Sequence, residues 1–192
     1  MTSRAQKKQQ SFNRILDIAS VRLREQGLDG AAIAPVMKEA GLTHGAFYAH
    51  FANKDELARA AFRHALDQAQ PGWFGPRKEA WHRRLARMAA SYLSPRHRDT
   101  VGQGCAVSAL VTDFATADDD YQATFNEMFR HTIDGICDNG DDATNARRDE
   151  AIAFLALCVG GINLARAVGD PTLSRRILRA CRQAVNRIPA ED

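Results

Sequence analysis

The sequence predicts an all-α protein, with an N-terminal three-helix helix-turn-helix domain at residues 1–66 and a C-terminal helical domain at residues 67–192. Apolar residues return at helical spacing through most of the chain. Sustained period-2 alternation of β-branched residues is missing, as is an Asn-Gly or Asp-Gly turn between two such runs. Glycine and proline fall where the helical runs start and stop.

Phe12, Ile15, Leu16, Ala19 and Leu23 form the apolar face of a first helix, which Gly27 ends. Arg4, Lys7 and Lys8 precede that face and read as a disordered basic arm. Ile33, Val36, Met37 and Ala40 share one face of a second helix that stops at Gly41. A short third helix follows Leu42, with Thr43 suited to cap it. Asn53 and Glu56 form a capping-box-like pair that opens a fourth helix, from Lys54 to about Ala69. Pro71, Gly72, Gly75 and Pro76 are expected to break it and to mark the domain boundary. Further helices are predicted over about 77–93, 105–116 and 119–137, the second of them after a turn at Gly102–Gly104. Residues 138–144 are acidic and read as a loop. Two closing helices cover about 146–168 and 171–187, with Pro171 in a first turn, where proline is tolerated.

With 45% hydrophobic and 26% charged residues, the 192-residue chain has the make-up of an ordinary globular protein. No run of about 18 apolar residues is found, so no transmembrane helix and no membrane partner are expected. The opening MTSRAQKKQQ has no apolar core behind it and is no secretory signal, which points to the cytoplasm. Cys105, Cys137, Cys158 and Cys181 are scattered without a CxxC pair, so free thiols are expected, with no metal site and no cofactor. Charge is unevenly spread: residues 1–66 hold ten Lys and Arg against six Asp and Glu, and residues 67–192 hold sixteen against seventeen. A basic N-terminal unit suits contact with phosphates.

Residues 31–51, AAIAPVMKEAGLTHGAFYAHF, read as two short helices joined by a tight glycine turn. That arrangement lets a second helix project into a major groove. The second helix, His44–His50, is too short to stand alone, and Leu42 and Phe51 are suited to anchor it from behind. Thr43, His44 and Tyr48 can donate hydrogen bonds. Gly45 lets the backbone approach DNA closely. Ala46 and Phe47 offer apolar contacts of the kind that meet a thymine methyl. Lys54 can reach a phosphate. His50 has phosphate contact, capping or packing open to it, and Phe47 has burial open to it as well as contact.

This segment resembles the DNA-binding domain of the TetR family. The resemblance is carried by Ile33-Ala34, Ala40-Gly41-Leu42-Thr43, Gly45, Phe47-Tyr48, His50-Phe51, Asn53-Lys54-Asp55 and Leu57. It departs from the family pattern at Ala31 or Ala32, where Ser or Thr is common, and at Pro35. The resemblance implies a regulator, most often a repressor, that binds a double-stranded operator as a homodimer and answers to a small-molecule effector. It implies phosphate contact by Tyr48 and dimerisation through the last two helices.

An enzyme and a helical adaptor are the competing classes. The chain has no Gly-rich phosphate loop, HExxH or GxSxG, and no enzyme activity is expected. An adaptor has no use for the 43–54 pattern. Trp73, Trp81, Met88, Tyr92, Phe114, Phe125, Met128 and Phe129 read as core residues, any of which can line a ligand pocket. Cys105 sits at a helix start after a Gly-rich turn. There it is either a ligand- or redox-sensing thiol, through the effect of a helix N-terminus on a thiolate, or a small packing residue.

Overall fold

The computed structural model describes residues 3–74, 79–137 and 144–188, and only the backbone of 69–73. In chain order the helices are α1 (Arg4–Gln26), α2 (Ile33–Glu39), α3 (Lys54–Phe74), α4 (Trp81–Tyr92), α5 (Pro95–Asp99), α6 (Ala106–Thr116), α7 (Asp119–Cys137), α8 (Asn145–Ala167) and α9 (Pro171–Val185). Short 3₁₀ segments stand at Gly27–Ala31, His44–Ala49 and Val101–Gln103, and no strand occurs among the described residues.

The N-terminal elements start and stop where local chemistry demands. Ser3 Oγ accepts from the Gln6 amide while Gln6 Oε1 accepts from the Ser3 amide, a reciprocal cap that opens α1. Arg4, Lys7 and Lys8 therefore belong to helix, not to a disordered arm; the two turns they occupy are exposed, and burial begins at Ile15. Gly27, at φ 65°, ends α1 in a conformation that glycine adopts without strain. Gly41, at φ 67°, does the same after α2. Gly30 meets a different demand, since a Cβ there would lie 2.2 Å from the Arg22 carbonyl oxygen.

The expected break at Pro71 and Gly72 is absent: α3 runs on to Phe74, across the 66/67 division. Gly75 and Pro76 lie outside the described residues, as do 77–78 and 138–143. Helix α5 was not anticipated, although Ser94 and Pro95 are its start signal; Ser94 Oγ accepts from the His97 amide. α8 is long and apolar enough to cross a membrane by length and composition, with a mean hydropathy of 1.5. That corrects the expectation that no such run exists, which came from counting uninterrupted apolar residues. Ala151, Phe154, Leu155, Cys158 and Ile162 put the apolar face of α8 into the protein's own interior.

Two cores meet at a seam. The first gathers Ile15, Leu16 and Leu23 of α1, Val36 and Met37 of α2, Phe47, Leu57 and Phe62 with Leu110 and Phe114 of α6. The second gathers Leu85 and Met88 of α4, Ile136 of α7, Phe154 and Ile162 of α8 and Leu178 of α9. Cys105, Phe129 and Val159 touch both. Polar ties add to the first core's grip: Tyr121 Oη donates to Asp55 at 3.0 Å, Arg63 pairs with Glu127 at 2.7 Å, and Arg24 Nε donates to the Gly102 carbonyl at 2.6 Å. The N-terminal helices thus share the first core with α6 and α7.

Candidate nucleic-acid interface and a cavity behind it

Helix α2 and the segment after it form a helix-turn-helix unit. The Leu42 amide returns to the Met37 carbonyl at 2.9 Å, which closes the turn around Gly41. Thr43 then caps the next element, its Oγ1 accepting from the Ala46 amide at 3.3 Å. That element, His44–Ala49, is a 3₁₀ helix, where an α-helix was expected. It is short enough that the poorer 3₁₀ hydrogen bonds suffice, because packing holds it.

Phe47 provides that packing. Its side chain is 0% exposed, with the Phe51 ring 5.7 Å and the Tyr48 ring 5.3 Å away. Phe51 in turn stacks on Phe12 of α1 at 5.2 Å. This corrects the expectation that Phe47 offers a contact to DNA: its position on the 3₁₀ turn points the ring into the core, where no base can reach. On the other face Thr43, His44, Gly45 and Tyr48 are exposed, Tyr48 at 61%. The His44 and Tyr48 rings lie edge to face at 5.9 Å. Ala46 is half-buried between the faces. A Cβ on Gly45 would meet nothing within 4 Å, so nothing in the protein's own packing asks for glycine there.

Lys54 and His50 flank this surface. Lys54 Nζ pairs with the carboxylate of Asp29 at 3.2 Å, and Asp29 is itself almost fully exposed. His50 packs beside Phe12 and Phe51, with its Nδ1 buried and without a hydrogen-bond partner among the described residues. Burial, and secondarily the charge of Lys8, push its pKa below the usual imidazole value. The exposed basic turns of α1 therefore adjoin the same surface, which no local sequence signal discloses.

A cavity of about 480 Å³ lies at the seam between the two cores. Leu66 of α3, Val107 of α6, Thr132 of α7 and Leu155 of α8 line it with Tyr92, His97 and Cys105. Tyr92 is the only one of the core aromatics and methionines named from the sequence to line this cavity; the Trp73 side chain lies outside the described residues. His97 Nδ1 meets the Tyr92 carbonyl at 2.6 Å and its Nε2 meets the Cys105 amide at 2.9 Å. A carbonyl only accepts and an amide N–H only donates, so the ring is neutral, with its proton on Nδ1. Burial chiefly lowers the His97 pKa; the Tyr92 carbonyl raises it, and Arg166 lowers it. Cys105 is half-exposed and stands at the N-cap of α6. Burial raises the pKa of Cys137, Cys158 and Cys181.

Residues 15–61 match the family model described as bacterial regulatory proteins, tetR family. The helix-turn-helix segment is thus of the tetR type. Over 61 residues it is 38% identical to the HTH-type transcriptional regulator YvdT of Bacillus subtilis (strain 168). That match spans 30% of this chain and 31% of the relative, so the chain covers less than a third of that relative's length. Solved structures extend the likeness in fold. A TetR-family transcriptional regulator from Cytophaga hutchinsonii superposes with a TM-score of 0.74 at 17% identity, covering 100% of both chains. The reduced form of E. coli NemR superposes with a TM-score of 0.75 at 17% identity, covering 95% of this chain and 98% of that one. The all-α architecture, a helix-turn-helix domain followed by a helical C-terminal domain, is that of the TetR family.

Proposed function

We propose that the protein binds a pseudo-palindromic operator in double-stranded DNA as a homodimer, and represses transcription in the cytoplasm until a small molecule in the cavity releases it. One observation carries the reading: a single short element has Phe47 fully buried behind it and Thr43, His44, Gly45 and Tyr48 exposed in front. His44 and Thr43 would read base edges. Gly45 would let the backbone close on the duplex, with Ala46 at the edge of that contact. Tyr48, His50 and Lys54 would meet phosphates, Lys54 exchanging Asp29 for the backbone.

A reading element this short covers few base pairs, so two copies are needed for useful specificity. The exposed side of α8 carries Ile152, Ala156, Gly160 and Leu164, spaced four apart, and α9 exposes Leu173 and Ala180. The α8 stripe carries no charge and suits a two-fold, self-complementary contact between copies, with Arg175, Arg176 and Arg179 of α9 exposed beside it. In this reading residues 1–66 bind DNA, residues 67–192 bind effector with Leu66 at the cavity wall and also pair, and no catalysis is involved. Cys105 takes the sensing role because it lines the cavity. If Cys105→Ser releases DNA as the parent does after treatment with an electrophile, that role is withdrawn.

Selection of bound sequences from random duplex DNA tests the whole reading. A two-fold motif is expected, with binding that falls steeply as salt rises. Tyr48→Phe and Lys54→Ala should weaken all sequences alike, whereas His44→Ala should alter the preferred bases at a cost of about 1–3 kcal/mol. Failure to retain any duplex at low salt removes the DNA-binding proposal. An unchanged motif with His44→Ala removes only the base-reading role.

A further inference from the structure

The cavity's polar groups divide into two sets. The side chains of His97 and Thr132, in the deep wall, are already bonded within the protein. Both His97 nitrogens are taken by backbone groups, and Thr132 Oγ1 donates to the Met128 carbonyl at 2.8 Å. The Tyr92 hydroxyl lies among Cys105, Cys158 and Ser108. Leu66, Val107 and Leu155 complete a wall that offers a ligand apolar contact and little else. The second set stands at the exposed rim. Arg96 and Gln103 line the opening, and neither side chain has a hydrogen bond or ion pair among the described residues. Among the described residues no Asp or Glu lines the cavity, and Arg96 is the one charged residue of the lining, and it is positive.

From this division we propose that the cavity takes an amphiphile with an apolar tail and a carboxylate head. The tail fills the deep wall, where bonded-up polar groups would give a polar ligand no return for its lost water. The carboxylate stays at the rim, accepting from the guanidinium of Arg96 and the amide of Gln103. An ammonium head would face Arg96 at the same place and be repelled. The proposal rests on the effector reading of the cavity and adds the ligand's chemical class. Its argument makes no use of the DNA surface.

The test is isothermal titration of the full chain, without DNA, with decanoate, decanol and decylamine below their aggregation concentrations. Decanoate should bind about tenfold or more tightly than decylamine. Arg96→Gln, at an exposed position that leaves the core intact, should weaken decanoate about tenfold and leave decanol unchanged. Thermal unfolding of Arg96→Gln without ligand checks that the fold is kept. Equal binding of decanoate and decylamine, or an Arg96→Gln variant that holds decanoate as the parent does, overturns the head-group assignment alone. Absence of binding by all three overturns the cavity's effector role as well. Neither result bears on the duplex-selection outcome.

Discussion

The His44–Ala49 turn and the α8–α9 pair differ in what each owes to its surroundings. The turn is six residues long, and its identity is spelled locally: Gly41 reverses the chain, Thr43 caps and Phe51 backs it. The α8–α9 pair is long, and its meaning depends on which residues face which neighbour. Gly160 and Gly161 stand side by side in sequence yet have opposite fates. A Cβ on Gly161 would lie 2.8 Å from Cys181 Sγ and 3.0 Å from Leu93, whereas one on Gly160 would meet nothing within 4 Å. Short elements with special backbone needs announce themselves, while long regular helices announce only their existence.

The sharpest way to break this comparison is on the turn itself. Phe47→Ala should cost about 3–5 kcal/mol of stability by urea denaturation, as for other buried aromatics. Tyr48→Ala, one residue on, should change it by no more than about 0.5 kcal/mol. Similar losses at both positions would mean that the buried and exposed faces are wrongly assigned. The two glycines come next. Gly161→Arg should destabilise the folded chain, because the side chain enters the contact of α8 with α9 and Leu93. Gly160→Arg should leave the fold intact and raise the dimer dissociation constant at least about tenfold, seen as monomer of 21.2 kDa by light scattering. A dimeric Gly160→Arg variant moves the pairing face off α8.

The smallest expected effect is a pH dependence. His97 and His50 both have lowered pKa values in the folded chain, each chiefly through burial. The unfolded chain takes protons on these groups near pH 6.5, which the native state resists. Stability should therefore be complete above about pH 6.5 and fall as the pH drops through that value, levelling off below the folded pKa. Denaturation midpoints measured from pH 7.5 to 5.5 check the sign. His97→Gln should flatten the slope, since it removes the ring whose Nε2 must stay bare to accept from Cys105. A slope that His97→Gln leaves unchanged would assign the effect to His50 or to other groups.

What the sequence determined by itself is the set of elements whose signals are local. The ends at Gly27 and Gly41, the caps at Thr43 and Asn53, and the helix Asp119–Cys137 were all legible, because a positive φ, a side-chain cap or a strict period acts within one or two turns. The exposed candidates Thr43, His44, Gly45 and Tyr48 were legible for the same reason. Where local propensity was the only guide, tertiary packing overrode it. α3 passes through Pro71 and Gly72, and the basic turns at Arg4–Lys8 are helical. Phe47 could be assigned to core or contact only once Phe51 and Phe12 were placed around it. The cavity lay wholly beyond the sequence. Its wall draws on α3, α4, α5, α6, α7 and α8, and His97 and Arg96 acquire their roles only when α5 packs against α8, where Arg166 donates to the His97 carbonyl. No period records such a meeting, because it depends on distances between residues far apart in the chain.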